Sequence, residues 1–285
     1  MGLFKSKKIS IFKLEDYLEA TNKSLFVPFF SPNFRIIWFV KGVGNHRVDF
    51  KTISIIPNTV IFLSKNQLQK FDHPNYKGLV LEFSKSFLIQ KENDIDFFVR
   101  CVLFNTQVQE PFCYLGINAI MKLKRYISLF EEEFANTDTF GKEEILRLYL
   151  KAFLIQVQRC KLYSEGKFIT TKIPLQINTA ELLLIKFINL VEEYYMKRYS
   201  VSIFSQKLCV SSKTLSNITR RYLNKTPSKI IHERILLEAK RLLLYSNQTI
   251  KEISYQLGFF DPSYFVRFFK KNVGKSPYKF KVEAK

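Results

Sequence analysis

Arg267 is the side chain in this sequence with the most pointed chemistry: it lies six residues beyond an Asp261-Pro262 pair, with Lys270 and Lys271 close behind it. A guanidinium on the outward face of a helix can grip O6 and N7 of guanine with two parallel hydrogen bonds, while neighbouring ammonium groups neutralise phosphates. A second set of donors, Lys213, Ser216, Asn217, Arg220 and Arg221, follows the pair Ser211 and Ser212 and faces outward from its own helix. The helix starts at Ser211 and Asp261 would offer backbone N–H groups to phosphate.

Catalytic chemistry is hard to assemble from the rest. The chain contains no G-x-S-x-G, Walker loop, H-E-x-x-H or G-x-G-x-x-G. Its three histidines, His46, His73 and His232, are too scattered for a triad or a convincing metal set, and no cofactor is expected. Cys101, Cys113, Cys160 and Cys209 show no C-x-x-C spacing, which fits free, mostly buried thiols in a reducing cytoplasm. Cys209 is expected to pack as a small apolar residue, with a redox switch as the alternative. No apolar stretch approaches the ~20 residues of a membrane span, and the start lacks a signal-peptide core.

The elements that must position the donors are legible from their punctuation. Thr249, Ile250, Lys251 and Glu252 form a T-x-x-E capping box, so a helix begins near Ile250. It buries Ile250, Ile253 and Leu257 and stops at Gly258, a residue suited to the left-handed C′ position. Phe259 and Phe260 bridge a turn, Asp261 and Pro262 restart a helix, and Phe265, Phe268 and Phe269 point inward. Ser263, Tyr264, Val266 and Arg267 lie on its outer or flanking faces. A weaker copy precedes it, with Ile203, Phe204 and Leu208 packing a first helix, Cys209 and Val210 at the turn, and Leu215 and Ile218 inward in the second helix. Thr226 and Pro227 open a helix between the copies, with Ile230, Ile231, Ile235, Leu236, Ala239, Leu242 and Leu243 on its apolar side. From Pro227 to about Ser246 it would be on the order of 28 Å long, near the ~34 Å rise of one DNA turn.

At these residues the chain resembles the AraC/XylS family of bacterial transcription regulators. The resemblance rests on the stretch from Leu257, Gly258 and Phe259 through Asp261, Pro262, Ser263, Tyr264 and Phe265 to Arg267, Phe268, Phe269, Lys270 and Lys271, and on the closing Gly274, Lys275, Ser276, Pro277. Lys207, Leu208, Cys209, Val210 and Ser211 add to it in the first copy. By position it implies base-reading roles for Lys213, Ser216, Asn217, Ser263 and Arg267. It also implies a cupin-like N-terminal domain that binds an effector or dimerises the protein, and in most members activation. The implied partners are double-stranded promoter DNA and RNA polymerase, with a small-molecule effector and a second copy of the chain as candidates, and no membrane. Many members have glycine where this chain has Asn224, and an aromatic where it has Thr219. Met1, Gly2 and Ser6 fit a myristoylation motif, but in a bacterial chain this is best read as chance.

Charge points the same way. Net charge is +20, and from Asn178 onward 20 basic residues stand against 8 acidic ones. Genome composition is the bland alternative, because the first 177 residues are also basic, 25 against 17.

The expected class is α+β in two domains: 1–163 a cupin-like β-barrel with a helical appendage, 164–179 a linker, and 180–285 an all-α domain with two helix-turn-helix units. Strands are expected at 34–40, 46–50, 54–56, 60–63 and 79–83, separated by turns at 42–45, 57–58, 65–66 and 73–75. Helices are expected at 118–134 and at 142–163, the latter with Ile145, Leu148, Tyr149, Ala152, Ile155 and Val157 inward. This pair is either a dimer face or a cover for the sheet. A helix at 180–197, with Leu183, Leu184, Phe187, Ile188 and Val191 inward, opens the last domain. Trp38, Phe29, Phe30, Phe39, Phe62 and Tyr76, with Arg35, Arg47 or Lys41 and with His46 and His73, make a candidate effector pocket; core packing explains the same aromatics. Two rivals stay open: a metal-dependent cupin-like enzyme with a basic tail, and a non-specific architectural DNA binder that wedges apolar side chains into the minor groove.

Overall fold

The computed structural model describes residues 4–5, 8–20, 30–105, 110–136, 140–164 and 179–283. The Met1, Gly2, Ser6 motif, Phe29 and most of the expected linker, 165–178, lie outside the described residues. The chain divides into two compact units, Met1–Ile173 and Pro174–Lys285.

The first unit is built on two antiparallel sheets. Its strands are β1 (Phe4–Lys5), β2 (Ile9–Lys13), β3 (Phe34–Lys41), β4 (Gly44–Val48), β5 (Lys51–Ile55), β6 (Thr59–Leu63), β7 (Gln69–Phe71), β8 (Lys77–Phe83) and β9 (Phe112–Tyr114). The large sheet runs β1-β2-β8-β3-β6-β9 and the small one β5-β4-β7, so the expected barrel takes the form of two open sheets and not a closed cylinder. Helices α1 (Leu14–Ala20), α2 (Lys85–Leu88), α3 (Glu92–Arg100), α4 (Ile117–Ala135) and α5 (Lys142–Ser164) complete it.

Side-chain alternation on β3 divides the core, since successive residues on a strand point to opposite faces. Phe34, Ile36 and Trp38 join the cluster shared with α4 and α5, while Ile37 and Phe39 join the cluster between the sheets, with Ile53, Ile55, Phe71 and Val80. β3 is therefore apolar on both faces. The inward set of α5 is Leu146, Leu150, Phe153, Leu154 and Val157; Leu148 and Ile155, expected inward, are exposed. Apolar residues surround this helix too fully for periodicity to choose the face.

The second unit is helical: α6 (Thr179–Tyr194), a 3-10 turn (Tyr195–Lys197), α7 (Val201–Lys207), α8 (Ser212–Leu223), α9 (Pro227–Tyr245), α10 (Ile250–Gln256), α11 (Pro262–Val273) and α12 (Pro277–Glu283). Side-chain caps at Ser211, Thr226, Thr249 and Asp261 set the starts of α8 to α11, and Thr249 with Glu252 closes the reciprocal capping box. The apolar side of α9 also carries charge. Arg234 and Arg241, both buried, share Glu238 at 3.0 and 3.1 Å, and Arg234 reaches Glu192 at 2.7 Å while lying 3.8 Å from the Tyr195 ring centroid. Burial works against the Arg234 charge, but Glu192, Tyr195 and Glu238 together outweigh it and hold the pKa above the ordinary value. This network fastens α9 to the end of α6.

Candidate nucleic-acid interface

The two helix-turn-helix units are copies at the level of individual hydrogen bonds. In the first turn the amides of Cys209 and Val210 donate to the carbonyls of Gln206 and Ser205; 49 residues later those of Gly258 and Phe259 donate to Tyr255 and Ser254, all at 3.0 Å. Cys209 and Gly258 both take the left-handed conformation, with φ of 54° and 78°. Past the turn the offset becomes 50. Asn224 and Gly274 end α8 and α11 with φ of 52° and 85°, which asparagine and glycine tolerate best. The hydroxyls of Thr226 and Ser276 cap the next helix by accepting from Lys229 and Lys279 N–H. Lys225 pairs with Glu233 at 2.8 Å, and Lys275 with Glu283 at 2.5 Å.

This register pairs the expected reading residues. Lys213 corresponds to Ser263, Ser216 to Val266 and Asn217 to Arg267, while the buried Leu215, Ile218 and Thr219 correspond to Phe265, Phe268 and Phe269. Lys213, Asn217, Ser263 and Arg267 are exposed; Ser216 is half-buried. Thr219 fills less space than Phe269, and its hydroxyl donates to the Ser216 carbonyl at 3.2 Å. Arg267 keeps 73% of its side chain exposed and lies 3.8 Å from the Asp261 carboxylate, a separation of little worth in water.

The expected phosphate contacts divide. Arg220, Arg221, Lys270 and Lys271 are exposed in the last turns of α8 and α11, where their charge also complements the helix dipole. Ser211 and Asp261 stand at the helix starts as N-caps. Ser211 accepts from Thr214 N–H at 3.0 Å, and Asp261 from Ser263 and Tyr264 N–H at 2.8 and 3.2 Å. The caps thus take the Thr214, Ser263 and Tyr264 amides. Cys209, expected to pack inward, is exposed, because its left-handed backbone turns it out of the core; among the four cysteines only Cys113 is buried. Loss of water around the half-buried Cys101 thiol pushes its pKa up to about 12.

Sequence reading missed Arg198, which joins the 3-10 turn to α7. Its guanidinium lies 4.0 Å from the Phe259 ring centroid and 5.3 Å from that of Phe268. Its own left-handed φ of 54° was the one feature a sequence does not print.

The candidate effector-pocket residues come together only in part: His46, His73, Phe39 and Tyr76 are neighbours, and the others are apart from them or exposed. Trp38 and Phe62 point to the α4–α5 side of the large sheet, whereas Phe39 and Tyr76 point between the sheets. Phe30 is exposed. Arg35 is already engaged, with Glu82 at 2.5 Å and the Tyr17 hydroxyl at 3.2 Å. His73 stacks on Tyr76 at 4.1 Å, its Nε2 lies 2.9 Å from the Val43 carbonyl and its Nδ1 accepts from Asn75 N–H. That pattern locks a turn. His46 is fully buried beside Phe71 and Phe39, and among the described residues neither ring nitrogen has a hydrogen-bond partner. Burial lowers its pKa to about 3, with Asp72 opposing. No group of three or more His, Cys, Asp or Glu able to hold a metal ion occurs among the described residues. Among them, too, no helix is long and apolar enough to cross a membrane.

Residues 204–282, from α7 to α12, match the model of the helix-turn-helix domain family. The chain is 36% identical over 133 residues to a histidine kinase of Formosa agariphila, covering 46% of this chain and 10% of that one. It is 29% identical over 87 residues to the transcriptional regulator ExsA of Pseudomonas aeruginosa, 30% of this chain and 31% of that one. Among solved structures it is similar to the C-terminal domain of the response regulator yesN from Fusobacterium nucleatum, 30% identical over 33% of this chain and 93% of that one, with a TM-score of 0.32. The chain thus spans a tenth to under a third of the length of these two curated relatives.

Proposed function

Starting from a C-terminal domain that belongs to the AraC/XylS family of helix-turn-helix transcription regulators, we propose that this chain is a sequence-specific regulator, an activator, that reads two neighbouring major grooves of promoter DNA. The observation that carries this reading is the repeat itself. One backbone frame occurs twice, and each time it turns a different set of polar side chains outward. A frame kept while its outward side chains change is what reading two different base sequences calls for.

In this reading Lys213, Ser216, Asn217, Ser263 and Arg267 face base edges, and Arg220, Arg221, Lys270 and Lys271 hold phosphates. Ser211 and Asp261 act through the helix starts they cap. The α9 helix, about 28 Å long, spaces the two readers by close to one turn of duplex. Residues 180–285 are the DNA-binding domain, 164–179 the linker, and 1–163 an effector-binding or dimerisation domain in a cytoplasmic protein that works with RNA polymerase. A small effector would lie between the two sheets, where His46 Nδ1 and Nε2 and Gln69 Oε1 are buried polar atoms without a hydrogen bond among the described residues. Such atoms favour a ligand that supplies the missing partners.

The test is selection of bound DNA from a random library by the full chain, at physiological salt with excess non-specific competitor. The expected product has two conserved blocks one helical turn apart. Enrichment of no sequence overturns specific readout.

A further inference from the structure

Phe260 is the one residue by which the second turn exceeds the first. In the first unit Val210 leads directly into the cap Ser211; in the second, Phe259 is followed by Phe260 and only then by the cap Asp261. Phe259, the counterpart of Val210, is buried, whereas Phe260 is 99% exposed. A single exposed apolar side chain is common on protein surfaces and carries nothing by itself. The position of this one does. Its neighbour Asp261 lies 3.8 Å from the Arg267 guanidinium, and Ser263 and the half-exposed Tyr264 follow within one turn. Phe260 therefore borders the outward surface of α11, beside its first residues.

The first residues of a recognition helix are those that meet base edges in the major groove. The apolar feature of those edges is the thymine C5-methyl group, and phenylalanine is among the side chains that pack on it. A polar residue suffices to extend a turn, but a fully exposed phenyl ring gains stability only when something apolar covers it. On the reading of α11 as a recognition helix, on which this rests, we propose that Phe260 is a specificity-determining residue that packs on the C5-methyl of a thymine next to the base pair faced by Arg267. The first unit has no equivalent, so the preference belongs to one block of the DNA site.

The test uses the full chain and its selected DNA, with each thymine of the second block replaced singly by deoxyuridine, which lacks only the methyl group. At one position the replacement lowers wild-type affinity about fourfold, the worth of one buried methyl. Phe260→Ala loses a similar factor on thymine DNA and is indifferent to uracil there. If no replacement affects the wild type, the methyl contact is wrong while the regulator reading stands. If Phe260→Ala weakens thymine and uracil DNA alike, the ring stacks or wedges and does not read a methyl. If it leaves DNA affinity unchanged, Phe260 does not touch the DNA and the proposal is wrong. If the full chain selects no sequence at all, the regulator reading falls with it.

Discussion

The Arg198 guanidinium lies over the Phe259 ring, 4.0 Å from its centroid, and so clamps the joint between α6 and α7 onto the turn of the second helix-turn-helix unit. Gly258 enters the same contact from the other side: a Cβ there would come within 2.0 Å of the Met196 carbonyl oxygen. The turn of the second unit is thus seated on the segment between α6 and α7 by a cation–π pair and by the absence of a side chain.

Replacing Arg198 by alanine removes both the stacked charge and the packed stem, at a cost of about 1–2 kcal/mol. Amide exchange in α10 and α11 should accelerate by about tenfold, with Arg198→Lys intermediate because it keeps the charge without the planar fork. Unchanged exchange in these helices would mean that the contact is incidental.

The equivalent turn residues should answer substitution in opposite ways. Gly258→Ala combines a positive φ of 78° with a clash against backbone, so a loss well above about 1 kcal/mol is expected in denaturant titrations. Cys209→Gly relieves a left-handed non-glycine residue in open surroundings and should stay within about 1 kcal/mol of wild type. Equal losses at both sites would show that the turns are not mechanically alike.

Arg267→Ala should relax base preference at one position of the site, costing about 1–3 kcal/mol there. Lys270→Ala should weaken all DNA alike and flatten the salt slope by about one. Competition binding across single-base variants and a salt series separates the two; a uniform loss for Arg267→Ala would move that residue to phosphate.

His46 gives the first unit a pH dependence of known sign. An ordinary histidine titrates near 6.5, whereas burial holds this one at about 3, so the unfolded chain takes up the proton first. The stability this confers is complete above pH ~6.5 and is lost as pH falls toward 3, at about 1.4 kcal/mol per unit. In His46→Leu that slope should be absent from urea midpoints measured across the window. The same slope in both proteins would assign it to other groups.

The helical domain was legible almost residue by residue because its punctuation is local. Thr249 with Glu252, Gly258, Asp261 with Pro262, and Thr226 with Pro227 each state a start or stop within four residues. The sheets were less so. β3, β6 and β8 stand out as apolar runs, but β1, β7 and β9 have two or three residues each, too few for a period, and β2 alternates without flanking turn signals. The buried Arg234 escaped notice because its partner Glu192 lies 42 residues away. The pocket residues divide for a geometric reason: Trp38 and Arg35 are three apart on one strand, and an odd spacing sends side chains to opposite faces.

The 50-residue repeat has a consequence for orientation. On the proposed function, two unlike readers in fixed order on one chain make an arrow, not a mirror: reversed on the duplex, the Asn217 surface would meet the bases meant for the Arg267 surface. A single copy of the chain bound as proposed therefore has a front and a back on the duplex.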